Sequence, residues 1–265
     1  MWEEPPISGT RGSGTIFFSG CQLGCIYCQN REISRSPDFG RRVDSESLAE
    51  IMLSLQKMGA HNINFVTPTH FMPHVAAAVD IARGRGFSVP TVYNTGGYEL
   101  VDRLRRLEGK IDIYLPDFKY SVSALALKYS AAADYPDIAL RAIAEMVRQH
   151  PECRFSDDGI MLSGVIVRLL LLPGAVANTK LALSRLYSEF RDSIYISIMS
   201  QYTPPPGMPP PLNRRVSAAE YRDAVGHAEK LGIKNAFIQQ RESAEESYIP
   251  GFGDQFIAGC PQHGI

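Results

Sequence analysis

Six times along this chain an apolar run of strand length is followed by an amphipathic segment of helix length, which restricts the fold more than any other feature. Residues 14–19 (GTIFFS) read as a first buried strand. Residues 44–58 then read as a helix, with Asp44 as N-cap, Leu48, Ile51, Met52, Leu55 and Met58 on one face, and Gly59 at the C′ position. The same alternation predicts strands over 63–66, 89–95, 111–118, 164–172 and 194–199. Helices are predicted over about 72–84, 99–107, 138–149 and 178–191. A last helix opens at Ser217 with Glu220 three residues on, a capping box, and closes before Gly232; residues 235–239 read as a short seventh strand. Short connections between the repeats favour parallel strands. Six units are two short of a closed barrel, so the pattern predicts an open, partial (β/α)6 barrel of TIM type.

No composition shift marks a second domain, and the chain reads as one domain over 1–265, with a core over about 14–202 and a C-terminal extension over about 203–265. The Pro-rich stretch 204–211 (PPPGMPPP) interrupts strand and helix, so it reads as a stiff extended loop, either a plain connector or else a lid or partner-docking segment beside the strand ends.

Cysteines are few, five in 265 residues, yet three of them, Cys21, Cys25 and Cys28, fall within eight residues just after the first strand. Thiolates are soft ligands suited to iron–sulfur clusters or to zinc. A closed zinc site wants four N or S ligands, and only three are local here. The spacing i, i+4, i+7 would also set three small side chains on one helical face, but Gly20 and Gly24 work against a helix and let the sulfurs converge from a loop. Three cysteines on a cluster leave one iron open for a ligand. Cys153 and Cys260 lie far from the triad and read as structural or incidental.

Charge narrows the partner classes. With 27 basic and 28 acidic residues the net charge is −1, not the basic excess that phosphate-driven nucleic-acid binding needs. The Arg103, Arg105 and Arg106 group reads as a solvated helix face, without the interleaved aromatics of base stacking. No apolar run approaches the roughly 20 residues that span a bilayer, and residues 1–6 (MWEEPP) lack a secretory pattern, so the chain reads as cytoplasmic.

The C-x3-C-x2-C spacing, with Tyr27 just before its last cysteine, resembles the radical S-adenosylmethionine superfamily. The passages WEEPPISGTRGSGTIFFSGC, VTPTHF, YNTGGYE, IDIYLPDFKY, GVIVRLLLLPG, SQYTPP, LNRRVSAAEY and SYIPGF extend the resemblance over nearly the whole chain, most closely to pyruvate formate-lyase activating enzyme-like proteins. Many such relatives carry a further stretch before the WEEPP segment. The resemblance implies a [4Fe–4S] cluster on Cys21, Cys25 and Cys28, whose open iron chelates the amino nitrogen and carboxylate of S-adenosylmethionine, with Tyr27 beside the adenine. One electron then splits the sulfonium into methionine and a 5′-deoxyadenosyl radical, which takes hydrogen from a substrate. The implied substrate is a glycine of a partner glycyl radical enzyme, or else a small molecule to be tailored or rearranged. The implied electron donor is a flavodoxin or ferredoxin. A zinc-stabilised binding module is the non-enzymatic alternative.

Further residues take roles from the same resemblance. Thr67-Pro68-Thr69-His70 stands at the place of the family's Gly-Gly-Glu-like motif, without its acid, so Thr67 and Thr69 would offer hydroxyls and backbone carbonyls to the S-adenosylmethionine amino group. Asn94, before Gly96 and Gly97, replaces an acid that holds a monovalent cation in activating enzymes. Asp117 and Lys119 lie two apart in extended chain and so share a face. They match an Asp-x-Lys element that contacts the cofactor. Arg168 sits within an apolar strand, where a charge needs a partner or a polar cavity; the resemblance assigns it the methionine carboxylate or the ribose. Leu169 stands where many relatives have histidine. Gln201 and Tyr202, ending the sixth strand, would flank the adenine or the substrate. For these positions an ordinary cap, a turn, an ion pair or core packing is the competing reading. No catalytic residue beyond the cofactor ligands is assigned.

Overall fold

The computed structural model describes residues 4–36 and 39–238. Strands β1 (Gly14–Phe17), β2 (Ile63–Val66), β3 (Thr91–Thr95), β4 (Ile113–Pro116), β5 (Arg154–Phe155), β6 (Met161–Leu170), β7 (Tyr195–Met199) and β8 (Ala236–Ile238) form one sheet. Its order is β1-β2-β3-β4-β6-β7-β8, every neighbouring pair along it parallel, with β5 antiparallel on β6. Among the described residues no pairing returns β8 to β1, so the sheet is an open, partial TIM-type barrel. The helices are α1 (Pro5–Ser8), α2 (Arg31–Ser34), α3 (Ser45–Lys57), α4 (Met72–Gly84), α5 (Val101–Leu104), α6 (Ser123–Ser130), α7 (Tyr135–Gln149), α8 (Val176–Phe190) and α9 (Ala218–Leu231).

The helix termini form where the sequence placed their signals. Asp44 accepts the Ser47 N–H at 2.8 Å, Gly59 takes φ +91°, and Ser217 and Glu220 close a reciprocal capping box before Gly232 at φ +77°. Elsewhere the expectations need correction. The helix expected over 99–107 is only α5 and a 3-10 turn over Arg105–Leu107, because the stretch Arg103–Arg106 has little apolar face to bury. The helix expected at 138 begins at Tyr135, with Pro136 in its first turn, where its missing N–H costs nothing. Helix α6 was not expected at all. The fifth expected strand starts earlier, at Met161, and folds back on β5.

Period-2 alternation divides the sheet into two faces. Phe65, Tyr93, Tyr114, Val165, Val167, Ile196 and Ile198 pack against the helices in the larger core cluster. The other face carries Val92, Ile113, Leu115 and Ile166 near the strand starts. There Met161 and Ile7 of α1 complete a second apolar cluster, and Asn62 Nδ2 donates to the Ile7 carbonyl at 2.7 Å to seat α1. Two residues further along the same strands the face turns polar, with Asn94, Asp117 and Arg168. One end of this face is plugged; the other holds charge.

Cys153 sits near the plug, its Sγ 3.7 Å from the Val165 carbonyl oxygen. The Pro-rich loop is tied down. Tyr202 Oη donates to the Leu212 carbonyl at 2.6 Å, a Cβ on Gly174 would press within 2.9 Å of Pro211, and Glu220 binds Arg214 and the Gly174 N–H. These contacts anchor both ends of the loop. Cys260 and the SYIPGF segment lie outside the described residues.

Candidate active site at the strand ends

The three cysteines occupy an irregular loop between β1 and α2, held in place by contacts that do not depend on regular secondary structure. Gly20, at φ +81°, donates its N–H to the Ile33 carbonyl at 2.9 Å. His70 Nε2 lies 2.6 Å from the Ser19 carbonyl oxygen, and a Cβ on Gly20 would press against that imidazole. Ile26 N–H donates to the Tyr129 carbonyl at 2.9 Å, and Gln22 reaches the Tyr98 carbonyl at 3.0 Å. His70 is therefore a strut for the loop.

Each sulfur has a hydrogen-bonding neighbour. Leu23 N–H lies 3.4 Å from Cys21 Sγ, Ser130 Oγ donates to Cys25 Sγ at 2.9 Å, and Ser34 Oγ lies 3.4 Å from Cys28 Sγ. Burial pushes the Cys21 and Cys25 thiols up. Against it, the Leu23 N–H and the Lys119 charge pull Cys21 down, while Lys119 and Ser130 do the same for Cys25. Among the described residues, no three Cys, His, Asp or Glu side chains gather around one ion position. A cluster takes each thiolate on a separate iron and asks for a wider arrangement than a single ion. Three soft donors on a glycine-flanked loop, each sulfur beside a donor group, therefore suit an iron–sulfur cluster.

Across from the loop, the polar end of the sheet forms a charged cradle. Asp117 sits between two cations: Arg168 Nε donates to its Oδ1 at 3.0 Å and Lys119 Nζ binds its Oδ2. Burial alone would raise the Asp117 carboxyl, but Lys119 and Arg168 overcome it and leave the group below its ordinary value. Lys119 in turn loses solvation yet is held protonated by Asp117. Arg168 Nη2 donates to Asn94 Oδ1 at 2.5 Å, which brings β3, β4 and β6 together at one point. Asp117, Lys119 and Arg168 keep 15–17% side-chain exposure, so the group is shielded but open to a ligand.

The paired glycines after β3 have a specific reason. A Cβ on Gly97, at φ +79°, would collide with the Asp117 carbonyl, and Gly96 faces Leu23 of the cysteine loop. Thr67 adopts φ +59°, a conformation that costs a β-branched residue roughly 1–2 kcal/mol. Its N–H donates to the Asn94 carbonyl at 2.8 Å. Thr69 turns the other way and gives its hydroxyl to Glu99 Oε1 at 2.5 Å. Tyr27 is 5% exposed and packs edge-on against Tyr129 and Tyr202. Gln201, half-buried, accepts from Gln29 through its carbonyl at 3.4 Å, which ties β7 to the loop.

Four residues escaped the sequence reading. Tyr135 Oη donates towards the Gly96 and Asp117 carbonyls, both at 2.8 Å, and accepts the Lys119 N–H, so one phenol aligns the loops after β3 and β4. Glu99 is 2% exposed; burial pushes its carboxyl up to about 7 against hydrogen bonds from Thr69, Thr95 and Tyr93, and its Oε2 has no hydrogen-bond partner among the described residues. Tyr120 and Ser130 link Tyr27 to Cys25. The sequence signals for them were Glu99, an acid in a YNTGGYE segment already marked by its glycines, and Tyr120, the last residue of the IDIYLPDFKY passage.

Known proteins share this chain's sequence pattern and its fold. The sequence pattern of the Radical SAM superfamily covers residues 15–151, from β1 through α7, and the chain belongs to that superfamily. An uncharacterized protein of Methanocaldococcus jannaschii is 27% identical over 231 residues, which is 83% of this chain and 63% of that protein. The fold is shared with a radical SAM methyltransferase from Sphaerobacter thermophilus (TM-score 0.63, 16% identity, covering 87% of this chain and 67% of that one). It is shared too with Streptococcus suis SuiB bound to S-adenosylmethionine (TM-score 0.57, 12% identity, covering 94% and 53%). No helix among the described residues is long and apolar enough to cross a membrane.

Proposed function

We propose that this radical SAM enzyme holds a [4Fe–4S] cluster on Cys21, Cys25 and Cys28 and cleaves S-adenosylmethionine reductively, and that the resulting radical abstracts hydrogen in the manner of a glycyl radical enzyme activase. The observation that carries the reading is the placement of a thiol loop opposite a shielded Asp117–Lys119–Arg168 cradle at the strand ends, the active-site end of barrels of this type. When bound, the cluster supplies one electron at low potential to the sulfonium of S-adenosylmethionine.

The protein's own residues bind and orient. Lys119 and Arg168 offer positive charge to a carboxylate, and Asp117 fixes both cations so that neither needs to reorganise. Thr67 presents backbone at the end of β2, and Gly96 permits close approach of a ligand. Asn94 leaves this rim without the acid that would favour a monovalent cation. Tyr27, immobilised by Tyr120, Tyr129 and Tyr202, offers a ring edge beside the loop. A flavodoxin or ferredoxin would deliver the electron.

The support for an activase over a small-molecule enzyme is the Asp117-x-Lys119 pair, which matches activating enzymes. Anaerobic reconstitution, reduction and addition of S-adenosylmethionine should yield methionine and 5′-deoxyadenosine. An intact cluster without either product would end the proposal. Cys25→Ala should abolish the cluster's absorbance; full retention of iron would place the ligands elsewhere. A glycyl radical detected by electron paramagnetic resonance on a candidate partner enzyme would support activation. Deuterium passing instead from a labelled small molecule into 5′-deoxyadenosine would replace that substrate class.

A further inference from the structure

A line of buried hydroxyls runs from the aromatic of the cysteine loop back to one of its thiols. Tyr27 Oη lies 2.7 Å from Tyr120 Oη, Tyr120 Oη lies 2.7 Å from Ser130 Oγ, and Ser130 Oγ donates to Cys25 Sγ at 2.9 Å. All four residues are buried: Cys25 is 8% exposed, Tyr27 5%, Ser130 1% and Tyr120 0%. The four come from three separate stretches. Tyr27 and Cys25 lie on the loop after β1, Tyr120 lies beyond β4, and Ser130 is the last residue of α6.

Only one proton arrangement satisfies this line once iron holds Cys25. An iron-bound thiolate accepts and cannot donate, so Ser130 must give its single proton to the sulfur. The Ser130 oxygen then accepts from Tyr120, and the Tyr120 oxygen accepts from Tyr27. A phenol keeps its proton near neutral pH, so the two protons this order requires stay in place. No competing acceptor is needed.

We infer that Ser130, oriented by Tyr120 and Tyr27, is a positioning residue that raises the reduction potential of the cluster through its hydrogen bond to Cys25 Sγ. Reduction adds negative charge to the cluster and its thiolates, and a donor aimed at a sulfur stabilises the more negative state. Seclusion from water strengthens the effect. The same line fixes the ring that faces the ligand, so cluster potential and ring position are set by one set of bonds. The inference rests on the proposed cluster assignment.

The test is a redox titration of reconstituted protein, read by electron paramagnetic resonance of the reduced cluster, with S-adenosylmethionine absent. Ser130→Ala should lower the ratio of reduced to oxidised cluster about tenfold at a fixed poise, equivalent to about 59 mV for a one-electron couple. Tyr120→Phe keeps the ring and leaves Ser130 free to rotate, and it should move the ratio about two- to threefold the same way. It also serves should Ser130→Ala fail to retain a cluster. Potentials unchanged in the variants that hold a cluster would overturn the inference, because a purely structural role would lower stability and leave the potential alone. Failure of the wild-type protein to assemble any [4Fe–4S] cluster is a different outcome and would overturn the cluster assignment itself.

Discussion

The two ends of the sheet face opposite the long helices are built on the same strands with opposite chemistry. Near the strand starts, Ile7, Val92, Ile113, Leu115, Met161 and Ile166 are fully buried and pack together in one apolar cluster. Two residues along, about 7 Å in extended chain, positions 94 of β3, 117 just past β4 and 168 of β6 carry an amide, a carboxylate and a guanidinium. Alternation alone assigns all six strand positions to one face. What separates plug from cradle is distance along the strand: the apolar end excludes water and adds stability, while the polar end keeps charges that need one another.

The sharpest way to break this contrast is to remove one group from each end. Asp117→Asn removes the carboxylate that Lys119 and Arg168 share, and it should cost about 3–5 kcal/mol in urea unfolding. Ile113→Ala opens a cavity in the plug and should cost about 2–5 kcal/mol. The two differ in function. Ile113→Ala should keep wild-type iron content and S-adenosylmethionine affinity per folded molecule, whereas Asp117→Asn should lose affinity. Equal loss of affinity in both variants would mean the two ends act as one unit.

A somewhat smaller effect is expected from Glu99, which lies on the helix-facing side behind the cradle. Its carboxyl titrates near 7 in the fold against 4.5 for its ordinary value, chiefly because of burial. The folded state therefore binds the proton more tightly than the unfolded chain. Stability contributed by the protonated form is fully present below about 4.5 and is lost as pH rises to about 7, a total of roughly 3 kcal/mol. Glu99→Gln should flatten that decline in urea midpoints between pH 5 and 8. A wild-type profile already flat across this window would mean that Glu99 ionises at its ordinary value despite burial.

The contrast also marks where sequence reading reached its limit. The strands and most of the long helices were legible because burial imposes periodicity, and the caps at Asp44 and Ser217 were legible because a capping side chain needs a particular type at a fixed offset. The cysteine triad was legible because its residues are adjacent in the chain and rare. Arg168 stood out as a charge within an apolar strand, but not that it would meet Asn94 and Asp117 across two strand pairings. Tyr135 and Ser130 left no trace, since a tyrosine at the start of a helix and a serine at the end of another look like packing and surface, and Tyr120, though it ends the IDIYLPDFKY passage, had no role read for it. Their roles come from non-local approach, 105 positions apart in the case of Ser130 and Cys25. Helix α6, which delivers Ser130, was itself missed: its sequence SALALKYS gives only about two turns of weak amphipathicity.

The smallest expected effect concerns Thr67, whose left-handed backbone at the rim has no counterpart among the plug residues. Glycine there would relieve roughly 1–2 kcal/mol of steric cost while adding about 0.5–1 kcal/mol of chain entropy to be lost on folding. Thr67→Gly should thus raise stability by up to about 1 kcal/mol, and Thr67→Ala, which keeps the Cβ, should not. The same Thr67→Gly variant should bind S-adenosylmethionine less tightly, because the fixed backbone at the end of β2 is then free to wander before binding. A gain in stability with unchanged affinity would make the strain incidental. A loss of stability would mean that the threonine side chain contributes more by its contacts than its backbone costs, and Thr67 would then belong with the plug residues, kept for packing and not for a ligand.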